Sequence, residues 1–181
     1  MIAGMNAPPL SSIRVAHGDL ARFVSTAAQA VGLPADRADL LGELLAGNDA
    51  KGVFSHGTRQ IATYARLMKE GKLNNRPQVE IARETTTTAV VDGDGGLGYF
   101  PSHRAMTLAI EKALASGMAA TQSRNHGHFG AAGLYARMAT AHDLLAFVTS
   151  GHQLDLKPGD PLYKAAGGSP MAFGGPCAGE D

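Results

Sequence analysis

The chain has 181 residues, enough for one ordinary domain or two small ones sharing an interface, and long enough to bury a core. Sixteen Lys and Arg balance sixteen Asp and Glu, so no net field draws in a phosphate backbone or an anionic lipid surface; neither nucleic acid nor membrane is expected as a partner. A lone Cys177 excludes an intrachain disulfide and a cysteine-rich zinc site, and with no basic leader and no run of about 20 apolar residues a cytoplasmic location is expected.

Leu20, Phe23, Val24, Ala27, Ala28 and Val31 follow the three-then-four spacing of an apolar helix stripe, which predicts a helix over 18–31 closed by Gly32. Pro34 suits the first turn of a second helix, whose buried side is Leu40, Leu41, Leu44 and Leu45 and which runs out near Asn48 to Lys51. A third is predicted from about 56 to 70, with Ser55 as its N-cap, Ile61, Tyr64, Leu67 and Met68 as its apolar side, and Gly71 as its stop. The period then changes. VEIA at 79–82 and TTAVV at 87–91 are short and β-branched, as strands are. Pro101 opens a helix that ends at Gly117, followed by a strand around 118–123, a helix around 131–142 and a strand around 144–149. The expected class is α/β, with a helical unit over 1–76 leading into a mixed α/β core over 77–150. Residues 151–181 are rich in Gly and Pro and without periodicity, so they read as an irregular tail.

Glycine makes up 23 of the 181 residues, about 13% against a typical level of about 7%, and its clusters at 93–98, 127–133 and after 150 mark where chemistry is sought. Gly93-Asp94-Gly95-Gly96-Leu97-Gly98 formally satisfies GxGxxG between a strand and a helix, but the strand that follows ends Gln122-Ser123-Arg124-Asn125 without the carboxylate that would hold a ribose. Tyr99-Phe100-Pro101 also delays the helix, so a turn that needs positive φ angles is the better reading and a dinucleotide fingerprint the lesser one. Ser55-His56-Gly57-Thr58-Arg59 with Tyr64 forms a corner suited to a carboxylate, since Arg can hold one bidentately and His exchanges a proton near neutrality; a plain capping turn has the same spelling. Asn125-His126-Gly127-His128-Phe129-Gly130 sits at a strand's end before a helix, the edge at which α/β proteins bind ligands. Its two histidines could ligate a metal with His142 or His152, yet no carboxylate or cysteine stands at a recognised spacing, and no metal is assigned.

These blocks, together with Asp49-Ala50-Lys51-Gly52-Val53-Phe54, Asp92-Gly93, Ala105-Met106, Ala131-Ala132-Gly133, Tyr135 and Gly168-Ser169-Pro170-Met171, resemble the type-2 malate and L-lactate dehydrogenase family, which includes ureidoglycolate dehydrogenase, diketogulonate reductase, sulfolactate dehydrogenase and piperideine-2-carboxylate reductase. The resemblance implies a non-Rossmann fold, a homodimer, and interconversion of a 2-hydroxy acid and its 2-oxo acid with NAD or NADP. It places the proton donor or acceptor on His56 or His128, substrate contacts on Ser55, Arg59 and Tyr64, and cofactor contacts on Asn125, Phe129, Gly130 and Ser150. Family members are about twice this long, so the expectation is an amino-terminal half of such an enzyme, with a catalytically inactive folding or dimerisation module as the alternative. Ser169, where the family has Asn, and Gly151-His152 depart from its pattern.

Overall fold

The apolar stripes of the first third do form helices. A computed structural model, which describes residues 13–151 and 169–177, places α1 at His17–Gln29 and α2 at Ala35–Ala50, with Pro34 just ahead of α2. They pack through Val24 and Ala28 against Leu41 and Leu45, all buried. Each leucine removed from water in this way stabilises the unit by about 1.5–3 kcal/mol. The third helix departs from expectation. α3 spans only Ile61–Lys69, preceded by two short 3₁₀ turns, Phe54–His56 and Thr58–Gln60, so Ser55 lies within the first of these turns rather than at the N-cap position of α3. The reason is a competing acceptor upstream, the Asp49 carboxylate, which takes the Thr58 backbone N–H at 2.9 Å and holds the chain in turns.

β1 (Glu80–Glu84) pairs antiparallel with β2 (Thr88–Asp92), and β2 pairs parallel with β3 (Ala120–Arg124) in the register Thr88↔Ala120 to Asp92↔Arg124. A parallel neighbour needs a crossover, and α4 (Tyr99–Ser116) supplies it, laying Ala105 and Leu108 on Ala89 and Val91. α4 begins two residues before Pro101, whose missing N–H costs nothing in a first turn, so Gly98 stands directly at the helix start, contrary to the delay read from Tyr99-Phe100-Pro101.

α5 (Ala132–Thr140) is followed by β4 (Ala146–Thr149). Met171–Gly174 forms β5, antiparallel to β4, in a segment expected to be irregular; residues 152–168 and 178–181 of that segment lie outside the described residues. Val148 and Ala172 pack inward with Phe129, Ala132 and Tyr135, while Phe147 and Phe173 face out with ring centroids 4.7 Å apart. The result is the expected mixed α/β class. Its sheet runs β1-β2-β3 with one antiparallel edge, beside a separate β4-β5 pair, unlike the parallel doubly wound sheet of a Rossmann fold.

The largest buried cluster joins the two regions of the chain. Tyr64 of α3 and Leu97, Tyr99 and Phe100 at the start of α4 share it with α1 and α2. That junction positions the site.

Candidate active site

His56 is fixed by its neighbours rather than by a regular helix. Asn48, 1% exposed, donates from Nδ2 to the His56 carbonyl at 2.9 Å, and Gln60 donates to the Ser55 carbonyl at 2.6 Å. Asp49 Oδ2 also accepts the Thr58 hydroxyl at 2.5 Å. Between them Gly57 is extended, and a Cβ there would lie 1.7 Å from Asp49 Oδ1, so no side chain fits while Asp49 keeps its place. Ser55 Oγ lies 2.8 Å from His56 Nδ1.

His128 arrives on a second tied loop. Asn125, at φ 52°, donates to Asp92 Oδ1 at 2.8 Å, and Arg124 Nε pairs with Asp92 Oδ2 at 3.0 Å. The Asp94 backbone N–H, then Asn125 and Arg124, hold the Asp92 carboxyl below the usual carboxylate range. The glycine-rich loop 93–98 lies against this segment. The Gly95 N–H donates to the Asn125 carbonyl at 2.9 Å, the Gly98 N–H to that of His128 at 3.0 Å, and the Gly127 N–H returns to Gly96 at 2.8 Å. The donors a pyrophosphate would require are thereby spent inside the protein, which removes the fingerprint reading of GxGxxG. Phe129 is stacked on Tyr135, with centroids 5.5 Å apart, and the Tyr135 hydroxyl donates to the Phe129 carbonyl.

The two tied segments bring His56 and His128 together, ring centroids 5.4 Å apart. The Tyr64 hydroxyl lies 2.7 Å from His128 Nδ1 and 3.2 Å from the Tyr99 hydroxyl. Burial pushes the Tyr64 phenol up to about 12 and those of Tyr99 and Tyr135 higher still, so all three are neutral hydrogen-bonding groups. Burial lowers His56 below its ordinary value, which favours a neutral imidazole. Beside His56 opens a cavity of about 260 Å³ lined by Val53, Ser55, His56, Gly130, Ala131, Ala132, Gly133, Pro170 and Met171. Two imidazoles, a hydroxyl and a wall of small residues can accept a small polar molecule and exchange a proton with it.

Of the residues singled out from the sequence, Ser55, His56 and Gly130 line this cavity, and His128 adjoins it through His56. The Ser150 N–H donates to the carbonyl of Pro170, a wall residue, at 3.4 Å. Tyr64 lies beneath, 2% exposed, with its hydroxyl engaged by His128 and Tyr99, and Phe129 is buried against Tyr135. Asn125 is exposed and bound to Asp92. Arg59 is exposed, is not part of the cavity wall, and has no ion pair among the described residues. Among the described residues no group of three His, Cys, Asp or Glu stands where it could hold a metal; His152 lies outside them. Sequence reasoning missed Tyr99 and the anchoring roles of Asn48 and Asp49. No local signal marks them, because their partners are 35, 8 and 9 residues away.

Residues 15–181 match the model of a family described as malate/L-lactate dehydrogenase. The chain is 34% identical over 142 residues to the L-sulfolactate dehydrogenase of Methanocaldococcus jannaschii, covering 78% of this chain and 41% of that protein. It is 30% identical over 168 residues to the malate dehydrogenase of Pyrococcus abyssi, covering 93% and 46% respectively. The structure of malate dehydrogenase from Pyrococcus horikoshii OT3 superposes with a TM-score of 0.80 at 30% identity, over 93% of this chain and 48% of that one. The chain thus spans less than half the length of these relatives.

Proposed function

The chain belongs to the malate/L-lactate dehydrogenase family, a family of enzymes, and from that premise we propose that it interconverts a 2-hydroxy acid and its 2-oxo acid with NAD or NADP. The observation that carries this reading is the pair of imidazoles, 5.4 Å apart, beside a cavity of about 260 Å³. In reduction the carbonyl carbon gains a hydride and its oxygen a proton; oxidation is the reverse, and an imidazole suits both directions near neutral pH. Nicotinamide cofactor, when bound, supplies or removes the hydride. The wall of Gly130, Ala131, Ala132 and Gly133 beside His56 would hold the flat reactive end of such a cofactor, and Asn125, Phe129 and Ser150, which lie outside that wall, are assigned to it in the same reading. The cavity lies below the roughly 300–1,000 Å³ of whole ligand sites, so the described residues hold that end and the small acid rather than an entire dinucleotide.

In this reading the unit 1–76 carries His56 and the core 77–150 carries His128 opposite it. Ser55 reaches the substrate oxygen and Tyr64 acts through His128, while Arg59, exposed and outside the cavity wall, would have to turn its guanidinium inward to meet the substrate carboxylate. Calorimetric titration with NADH and NADPH, followed by turnover with the oxo acids of lactate, malate and sulfolactate, tests the proposal. Micromolar cofactor binding with turnover of one acid supports it; no binding of either cofactor contradicts it.

One observation favours the second reading, a folding or homodimerisation module. Leu145, Phe147, Met171 and Phe173 are exposed on and beside the β4-β5 pair, Phe173 by 81%, an apolar face of the kind that protein contacts cover. Sedimentation of the chain, taken together with the NADH and NADPH titration, distinguishes a dimer that binds no cofactor from the enzyme.

A further inference from the structure

A third histidine, His126, stands two residues before His128 and takes no part in the proton exchange described above. It touches the peptide groups that lead into His128. The Gly98 N–H donates to the His128 carbonyl at 3.0 Å and the Gly127 N–H to the Gly96 carbonyl at 2.8 Å. Both of these ties run between backbone groups. The Gly127 carbonyl, on the peptide that joins Gly127 to His128, is met instead by a side chain: His126 Nδ1 lies 2.8 Å from it.

A carbonyl oxygen only accepts, so Nδ1 must carry the hydrogen. Nε2 of a neutral ring is then an acceptor, and the Ser123 hydroxyl of β3 stands 2.9 Å from it. Ser123 Oγ lies 3.0 Å from the hydroxyl of Ser102 on α4, which is 7% exposed. The hydrogens run in one direction along this line: Ser102 donates to Ser123, Ser123 to Nε2, and Nδ1–H to the Gly127 carbonyl. With the hydrogen on Nε2 instead, Nδ1 and the carbonyl oxygen face each other as two acceptors and the bond is lost, which disfavours that form by about tenfold. The ring also has little room to turn away. A Cβ at Gly93 would lie 2.9 Å from His126 Cβ, and one at Gly98 would lie 2.6 Å from His126 Nδ1, so the bare glycines leave the space that the imidazole fills.

Building on the dehydrogenase reading of this site, we infer that His126 is a positioning residue: its imidazole, held in the Nδ1–H form by Ser123, fixes the Gly127–His128 peptide and so keeps His128 opposite His56. A peptide group is planar, so an N–H anchored on its carbonyl sets the direction in which the chain enters His128. The anchor reaches from β3 and α4 to the loop, and it ties the orientation of His128 to elements formed far from the first helices.

Long-range ¹H–¹⁵N correlation spectra of the ¹⁵N-labelled chain, without cofactor or substrate, read the His126 tautomer, with its signals assigned by their loss in His126→Asn. The expected result is Nδ1–H. Asparagine sets an amide N–H where Nδ1 stands and still donates to the Gly127 carbonyl, whereas leucine fills similar space without a donor. The nuclear Overhauser contact between the rings of His56 and His128, whose centroids are 5.4 Å apart, is therefore expected to persist in His126→Asn and to be lost in His126→Leu. An Nε2–H tautomer in the unmodified chain overturns the inference whether or not either variant folds. So does loss of the ring contact in His126→Asn, or its survival in a folded His126→Leu protein. Turnover plays no part in these readouts, so their outcome is separate from that of the dehydrogenase assay.

Discussion

Replacing Gly98 by alanine sets two opposing effects against each other at the start of α4. Gly98 has φ −66° and ψ −12°, angles an alanine adopts without strain, so loss of unfolded-state freedom alone would stabilise the protein by about 0.4–1 kcal/mol. The added methyl, however, would lie 2.6 Å from His126 Nδ1, 2.7 Å from the Gly127 carbonyl oxygen and 2.7 Å from Phe129 Cβ. One of these is backbone and another is the root of a buried side chain, so the 126–129 loop must retreat. Overpacking of this kind costs about 1–3 kcal/mol, and the expected net loss is about 1–2 kcal/mol, or about 2–8 °C in melting temperature for a chain of this size. The same movement stretches the 3.0 Å bond from the Gly98 N–H to the His128 carbonyl and carries His128 with it. Misplacing a reacting group by about 1 Å costs about a hundredfold in turnover. Urea unfolding followed by circular dichroism, run beside the oxo-acid assay, measures both. A Gly98→Ala protein as stable as the original, or more so, refutes the claim that the glycine loop is closed by contact with the histidine loop.

Gly18→Ala is the counterpart: nothing lies within 4 Å of the added carbon in the first turn of α1, so a gain of up to about 0.5–1 kcal/mol in urea unfolding is expected. Asn48→Ala removes a buried amide and leaves the His56 carbonyl without its donor, and a loss of about 1–3 kcal/mol is expected in the same assay. Burial, aided at His103 by Arg37, lowers His56 and His103 below their ordinary value of 6.5. Their stabilisation is therefore complete above 6.5 and is lost as the pH falls from there through the lowered folded values. Urea midpoints at a series of pH values should decline across that window, and His103→Gln should flatten the decline; a midpoint that rises on acidification contradicts the burial argument.

The sequence spoke clearly where structure is local. The stripes of α1, α2 and α4 and the β-branched run of β2 stand at their expected places because helix and strand periods are written within a dozen residues. It misled where a distant group competes. Ser55 looks like an N-cap, but Asp49 takes the Thr58 N–H and turns the chain away from a helix until Ile61. β5 was hidden because Met171–Gly174 is too short and glycine-flanked to show a period, and becomes a strand only against β4. The Ser55-His56 and His128 blocks could be read as two separate motifs, whereas their meeting across 5.4 Å is bridged by buried Tyr64, which the sequence resemblance places at the substrate, and by Tyr99, which reads locally only as part of a turn.

The most direct test of the account is the rate of cofactor-dependent oxo-acid reduction in the unmodified chain compared with His56→Ala and His128→Ala. Loss of a positioned acid–base group costs about 10²–10⁴-fold; the account predicts a loss of that order in at least one of His56→Ala and His128→Ala. Rates unchanged in both variants would contradict it.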